Sequence, residues 1–187
     1  MADKFAISFE QAIANENAPD EIEIYILPAA LSREDISSGC YLEDEDNAYY
    51  PFWEKNGDNR PTDGKIQTVF VEWSVDGRQI SFSQMTAKTV KAGKPVLNYH
   101  VQQNPQHTVS QETIRLGEYE VFCITTDFSD AESFSYMEEP VCRMWFWTDG
   151  DYLYRLDCSP GFSREEILKI FESLAPVEDI NIYLGIG

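Results

Sequence analysis

The clearest alternation of apolar and polar positions lies between Ile66 and Met85. Ile66 to Val75 and Arg78 to Met85 flank Asp76-Gly77, a dipeptide that supplies the positive φ angles of a type I′ turn. A two-residue turn sets the register: Val75 faces Arg78, Trp73 faces Ile80, Val71 faces Phe82 and Val69 faces Gln84. Ser74/Gln79 and Glu72/Ser81 fall on the other side, so one face is apolar and one polar. A second hairpin is expected from Val141 to Trp147, through Thr148-Asp149-Gly150-Asp151, and back along Tyr152 to Leu156. In the same register Trp147 faces Tyr152 and Trp145 faces Tyr154, while Phe146 against Leu153 and Met144 against Arg155 fill the opposite face. Both of its faces are apolar. Cys142 falls opposite Asp157 and projects away from Cys158, which disfavours a bridge between the two.

Helical spacing occurs at both ends. Phe5 to Ala14 places apolar side chains three and four apart, and Pro19 stops the segment, so residues 1–18 read as an N-terminal helix. Ser163 and Glu166 have the spacing of a capping box, with Phe162 and Ile167 as its hydrophobic staple. Ile167, Ile170, Phe171 and Leu174 then form the stripe of a C-terminal helix that Pro176 ends. On this reading the stripe covers the sheet face of Phe146, Leu153 and Met144. Glu21 to Leu27 alternates charge with apolar bulk as a strand closed by Pro28. Val96 to Val101, Thr113 to Leu116 and Glu118 to Thr125 read as further strands, the last two as a tight pair around Gly117 or a single strand, and Asn181 to Leu184 as a short edge strand.

Together these elements predict one α+β domain over residues 1–187, a curved antiparallel sheet with the N-terminal and C-terminal helices packed on one face. Residues 29–65 form a long acidic loop insertion, and residues 66–187 carry the hairpins and the C-terminal helix. The length of 187 residues suits one ordinary core. Lys plus Arg number 14 and Asp plus Glu 33, a formal net charge of −19. That balance repels phosphate backbones and argues against nucleic acid as a partner. With 43% hydrophobic residues the chain is too apolar for a disordered acidic tail. Its apolar runs fall well short of the roughly 20 residues of a membrane-spanning helix, so no direct insertion of this chain is expected. The segment from Met1 to Ile13 has no basic region, apolar stretch and small-residue cleavage site in series. Either the protein is cytosolic, or it is an outer domain whose export signal or anchor lies upstream.

Candidate chemistry is sparse. Cys40, Cys123, Cys142 and Cys158 are widely spaced without a C-x-x-C pair, which argues against zinc; disulfides and free buried thiols both remain open. His100 and His107 adjoin no candidate nucleophile. Glu43-Asp44-Glu45-Asp46 and Asn56-Gly57-Asp58-Asn59 lack the ligand register of a calcium loop and read as solvated acidic segments. Asp149 and Asp151 resemble paired hydrolase carboxylates in type, yet a hairpin turn around Gly150 calls for them anyway. No phosphate-binding glycine motif is present, and no catalytic residue, metal or cofactor is expected. What remains is aromatic: Trp145, Trp147, Tyr152 and Tyr154 make a four-ring patch, either core or the seat of a small apolar ligand or partner segment.

Met144-Trp145-Phe146-Trp147-Thr148-Asp149-Gly150-Asp151-Tyr152-Leu153-Tyr154-Arg155-Leu156, followed by the helix from Ser163 to Leu174, resembles the bacterial domain of unknown function family 4367. Ile26-Leu27-Pro28, Val71-Glu72-Trp73 with Arg78 to Gln84, and Thr113 to Tyr119 extend the resemblance over Glu21 to Leu174. It implies an extracytoplasmic domain, often tied to a single anchor helix, with no catalytic residues to carry over. The closing hairpin and helix are also similar to lipoprotein-carrier and sigma-regulator periplasmic domains, whose sheets hold or sense lipid. The acidic stretch from Ser38 to Lys65 and the four cysteines depart from that pattern. The expected function is a non-enzymatic extracytoplasmic binding or sensing module. Its rivals are a small hydrolase using loop carboxylates and a lipid carrier.

Overall fold

The computed structural model describes residues 11–28, 41–46, 49–51, 65–91 and 108–177. Ten strands and two helices lie among them: β1 (Tyr25–Pro28), β2 (Tyr41–Asp44), β3 (Tyr49–Pro51), β4 (Ile66–Val75), β5 (Arg78–Thr86), α1 (Ala87–Lys91), β6 (Thr108–Leu116), β7 (Tyr119–Asp127), β8 (Val141–Thr148), β9 (Tyr152–Cys158), α2 (Arg164–Ser173) and β10 (Leu174–Val177). Residues 11–14 add a helical turn and Glu132–Phe134 a 3-10 turn. Eight strands form an antiparallel sheet in the order β3-β2-β4-β5-β9-β8-β7-β6, and β1 pairs with β10 as a separate ribbon. The expectations for Phe5 to Glu10, Cys40, Asn56 to Asn59, Val96 to Val101, His100, His107 and Asn181 to Leu184 lie outside the described residues.

The β4–β5 hairpin has the expected register at every pair from Val75↔Arg78 to Val69↔Gln84. Asp76 and Gly77 hold φ of 50° and 76°, the left-handed pair that a type I′ turn requires and that Asp-Gly tolerates best. The β8–β9 hairpin departs from expectation by two residues. Trp147 faces Tyr154, Trp145 faces Leu156, Phe146 faces Arg155 and Met144 faces Asp157. The cause is the Asp149 carboxylate, which accepts from the backbone N–H of Asp151 (2.9 Å) and Tyr152 (2.8 Å) and widens the loop to four residues. Thr148 locks it by donating to the Tyr152 carbonyl at 2.7 Å. A shift of two keeps every side chain on its expected face. Cys142 and Cys158 are accordingly free thiols on opposite faces.

Two hydrophobic clusters line the two sides of the large sheet. The first joins Val69, Val71, Trp73, Ile80, Phe82, Val121, Cys123, Trp145, Trp147, Tyr154 and Leu156 under Ile167 and Phe162. The second joins Met85, Ala87, Ile124, Met144, Phe146 and Leu153, with Ile13, Ala18 and Val90 against it. The two helical ends therefore take opposite faces, not one as expected: α2 lies on the aromatic face and the N-terminal stretch on the Phe146 face. The physical reason is continuity. The aromatic face is apolar across five strands, whereas the other face carries Ser81, Ser83, Arg155 and Asp157 across its middle. An apolar helix stripe buries most surface where no polar row interrupts it.

Residues 29–65 also differ from a plain loop. β2 pairs with β4 through Tyr41↔Phe70, Leu42↔Val69 and Glu43↔Thr68, and β3 pairs with β2. These strands have only three or four residues and no alternation, so their pairing comes from the edge that β4 offers. Glu43 and Asp44, expected in solvent, are 3% and 6% exposed; Glu45 and Asp46 beside them are exposed. The strand expected over Glu21 to Leu27 is confined to Tyr25–Pro28. Ile22 donates to the Ile66 carbonyl at 2.7 Å, and Ile24 stands 56% exposed. Gln84, fully buried, takes over where a strand neighbour would be: its amide donates to the Ile24 carbonyl at 2.8 Å and accepts from the Ile26 N–H at 2.9 Å.

Candidate functional site

The four rings proposed from sequence are brought together and then sealed. Trp145, Trp147, Tyr152 and Tyr154 are 2%, 3%, 7% and 3% exposed. Phe171 of α2 meets Trp147 edge-on at 4.9 Å and Trp145 at 6.1 Å between centroids, and Trp147 stacks on Tyr154 at 5.4 Å. The phenols are satisfied within the chain, as buried Tyr requires. Tyr154 donates to Asp149 at 2.6 Å; Tyr152 donates to the Glu21 carbonyl and accepts from the Glu23 N–H. Burial raises the pKa of both, and for Tyr154 the bond to Asp149 adds to the rise. Among the described residues this face is core, covered by α2. Asp149 is likewise occupied by its own turn, which accounts for the residue without hydrolytic chemistry.

The cap that seats α2 is the one expected. Ser163 Oγ accepts from the Glu166 N–H at 3.2 Å while Glu166 accepts from the Ser163 N–H at 2.8 Å. Glu166 also takes a forked ion pair from Arg78 at 3.0 and 3.2 Å. Arg78 lies 4.1 Å over the Phe162 ring and donates to the Gly161 carbonyl. Arg78 and the Ser163 N–H together hold the Glu166 carboxyl down at about 2. Arg143 fastens the same segment by donating to the Phe162 carbonyl. The tip of the first hairpin thus clamps the helix that closes the aromatic face.

The opposite face offers the accessible chemistry. On its middle strands the register places Ser83 beside Arg155 and Ser81 beside Asp157, with Phe146 and Met144 on the next strand. Arg155 pairs with Asp157 through Nε at 2.9 Å and Nη2 at 2.7 Å. It reaches Met144 Sδ at 3.8 Å and lies 5.7 Å over the Phe146 ring. The two side chains are 29% and 27% exposed, and Ser81, Ser83 and Cys142 are half-buried. Burial raises the Asp157 pKa, opposed by its bonds to Arg155 and Ser81. A guanidinium bound to one carboxylate through Nε and Nη2 still has N–H donors pointing elsewhere. The strip is therefore a neutral charge pair with spare donors, resting on the buried Phe146 ring and Met144 thioether.

The three described thiols are chemically quiet. Burial pushes Cys142 up to about 11 and Cys158 and Cys123 up to about 12, far above the range of an activated nucleophile. Among the described residues no group of three or more His, Cys, Asp or Glu side chains could hold a metal ion. No helix among them is long and apolar enough to cross a membrane.

Sequence reasoning passed over Arg155 and Asp157. Their signal was present in Tyr152-Leu153-Tyr154-Arg155-Leu156-Asp157, where two charges alternate with apolar residues on a strand expected to be buried on both sides. No family model, no curated protein and no solved structure matches the chain. What fold and site define is a sheet-rich antiparallel α+β domain with one sealed and one partly open face.

Proposed function

We propose that the chain is a non-catalytic binding or sensing module working outside the cytoplasm, and that its ligand or partner segment contacts the Ser83-Arg155-Asp157-Ser81 strip. The carrying observation is the Arg155–Asp157 pair, a quarter exposed on the central strand β9 beside Ser81 and Ser83. Such a pair costs desolvation and contributes little net stability, so two apolar residues would hold the fold as well. A polar ligand group bonding to the spare guanidinium donors and to the half-buried Ser81 and Ser83 gives the pair a use. Thiols held protonated speak for binding over nucleophilic chemistry. The resemblance to family 4367 supplies the extracytoplasmic setting.

Native mass spectrometry of the purified protein tests this directly. The expected result is a bound small amphiphile, lost from Arg155→Ala while the variant stays folded. Retention of the same adduct by Arg155→Ala would remove the strip from the reading. Hydrolysis of p-nitrophenyl butyrate that disappears in Asp151→Asn would replace the module with the hydrolase.

A further inference from the structure

The last strand of the sheet order, β6, is a nine-residue edge whose only strand neighbour among the described residues is β7. The β6–β7 hairpin closes on Gly117-Glu118, with Gly117 at φ 60°, the glycine-first arrangement of a type II′ turn. In a two-residue hairpin the closing pair, here Leu116↔Tyr119, exchanges both main-chain bonds, and every second pair does the same. Leu116, Ile114, Glu112, Ser110 and Thr108 therefore bond inward to β7. Val109, Gln111, Thr113 and Arg115 turn their N–H and C=O groups outward.

Natural sheet edges are usually blunted by proline, lysine, a bulge or a cover. The β6 sequence, Thr-Val-Ser-Gln-Glu-Thr-Ile-Arg-Leu, has no proline and no lysine, and its register with β7 runs unbroken from Thr108↔Asp127 to Leu116↔Tyr119. Six of its nine side chains are exposed and the other three half-buried. What restrains edge-to-edge pairing between copies is charge, since a chain of net −19 repels itself. The hairpin is locally acidic too: Glu112, Glu118, Glu120 and Asp127 stand against Arg115. Glu112 pairs with the exposed Arg164 at 3.1 Å, a pair that competing cations screen readily.

We propose that β6 is a docking edge for an extended, lysine- or arginine-bearing polypeptide segment, which adds to the sheet as a further strand. Main-chain bonds to Val109, Gln111, Thr113 and Arg115 supply the register, and basic side chains beside Glu112 and Glu118 supply selectivity. This edge is separate from the Arg155 strip and stands without it.

The test uses fluorescein-labelled acetyl-(Lys-Val)4-amide, read by fluorescence anisotropy with the whole chain. The expected result is binding at least tenfold tighter than that of (Glu-Val)4, weakening as salt rises. A (Lys-Val)4 peptide N-methylated at every second residue on its bonding edge loses at least tenfold. Thr113→Pro removes one outward N–H and none of the bonds to β7, so it abolishes binding and leaves circular dichroism unchanged. Equal binding of the N-methylated peptide overturns the proposal, because attraction is then charge alone, and this arm holds even where Thr113→Pro fails to fold. A concentration-dependent dimer of the unmodified chain that Gln111→Pro dissolves would also overturn it, in favour of a second copy.

Discussion

The two faces of the large sheet are built from the same strands and have opposite characters. On one face, Trp145, Trp147, Tyr154, Phe82 and Leu156 form a continuous apolar layer closed by α2 and the β1–β10 ribbon. On the other, Phe146, Met144 and Leu153 share the strands with Arg155, Asp157, Ser81 and Ser83, and the cover described comes from Ile13, Ala18 and Val90. Fully buried aromatic area is what stabilises a fold; a partly solvated charge pair contributes little to stability and keeps polar atoms within reach of another molecule. The contrast places stability on the first face, and the proposed function puts recognition on the second.

The largest effect should appear where this contrast is sharpest. Trp145 and Arg155 lie on neighbouring strands, on opposite faces. Trp145→Ala should cost about 3–5 kcal/mol by emptying a closed layer. Arg155→Ala should cost about 1 kcal/mol, since water can solvate the Asp157 carboxylate left behind. Urea denaturation of both variants measures the gap. Equal losses would mean that the Arg155 face is core of the same kind, and the assignment of recognition to it would fall.

How far the sequence carried this picture depends on the range of the interaction. Asp76-Gly77 and the alternation around it fixed every pair of the first hairpin, and Ser163-x-x-Glu166 fixed the helix cap, because both are settled within a few residues. Tertiary pairings were not legible. Which face α2 covers depends on how β5 meets β9, since only there does the row of Val71 and Phe82 join that of Tyr154 and Leu156. Nothing local to either hairpin states that register. The four rings could be grouped from sequence, but their burial could not, and Arg155 and Asp157 became visible as a strip only once Ser81 and Ser83 stood beside them. The two-residue slip at β8–β9 has a local cause, Asp149, whose side chain outcompetes the tight turn for backbone N–H groups.

A second, smaller effect tests how the sealed face is closed. Gln84 is a polar residue in an apolar row, and its amide stands in for a strand partner at Ile24 and Ile26. Gln84→Leu keeps the volume but leaves a carbonyl and an N–H unpaired beneath β1, at a cost of about 1–3 kcal/mol. Hydrogen exchange at Ile26 should accelerate while that at Phe82 changes little. Unaltered protection at Ile26 would show that pairing with β10 alone holds the ribbon down.

The smallest effect, and the most specific, is in the clamp of α2. Ser163→Ala should cost about 1 kcal/mol at neutral pH by removing the bond to the Glu166 N–H. Glu166→Gln tests the other half, where the sign follows from the carboxyl being held at about 2 against an ordinary 4.5. A depressed folded pKa means that the ionised group binds its partners better in the folded than in the unfolded chain. Its stabilisation is complete above pH 4.5 and is lost as pH falls toward 2. The melting temperature of Glu166→Gln should therefore lie below that of the parent at pH 6 and converge with it by about pH 2. The side chain is 39% exposed, so solvent screening keeps the gap small and salt should narrow it further. A gap that persists unchanged at pH 2 would mean that Glu166 acts by packing and that the fork from Arg78 does not fasten the helix over the aromatic face.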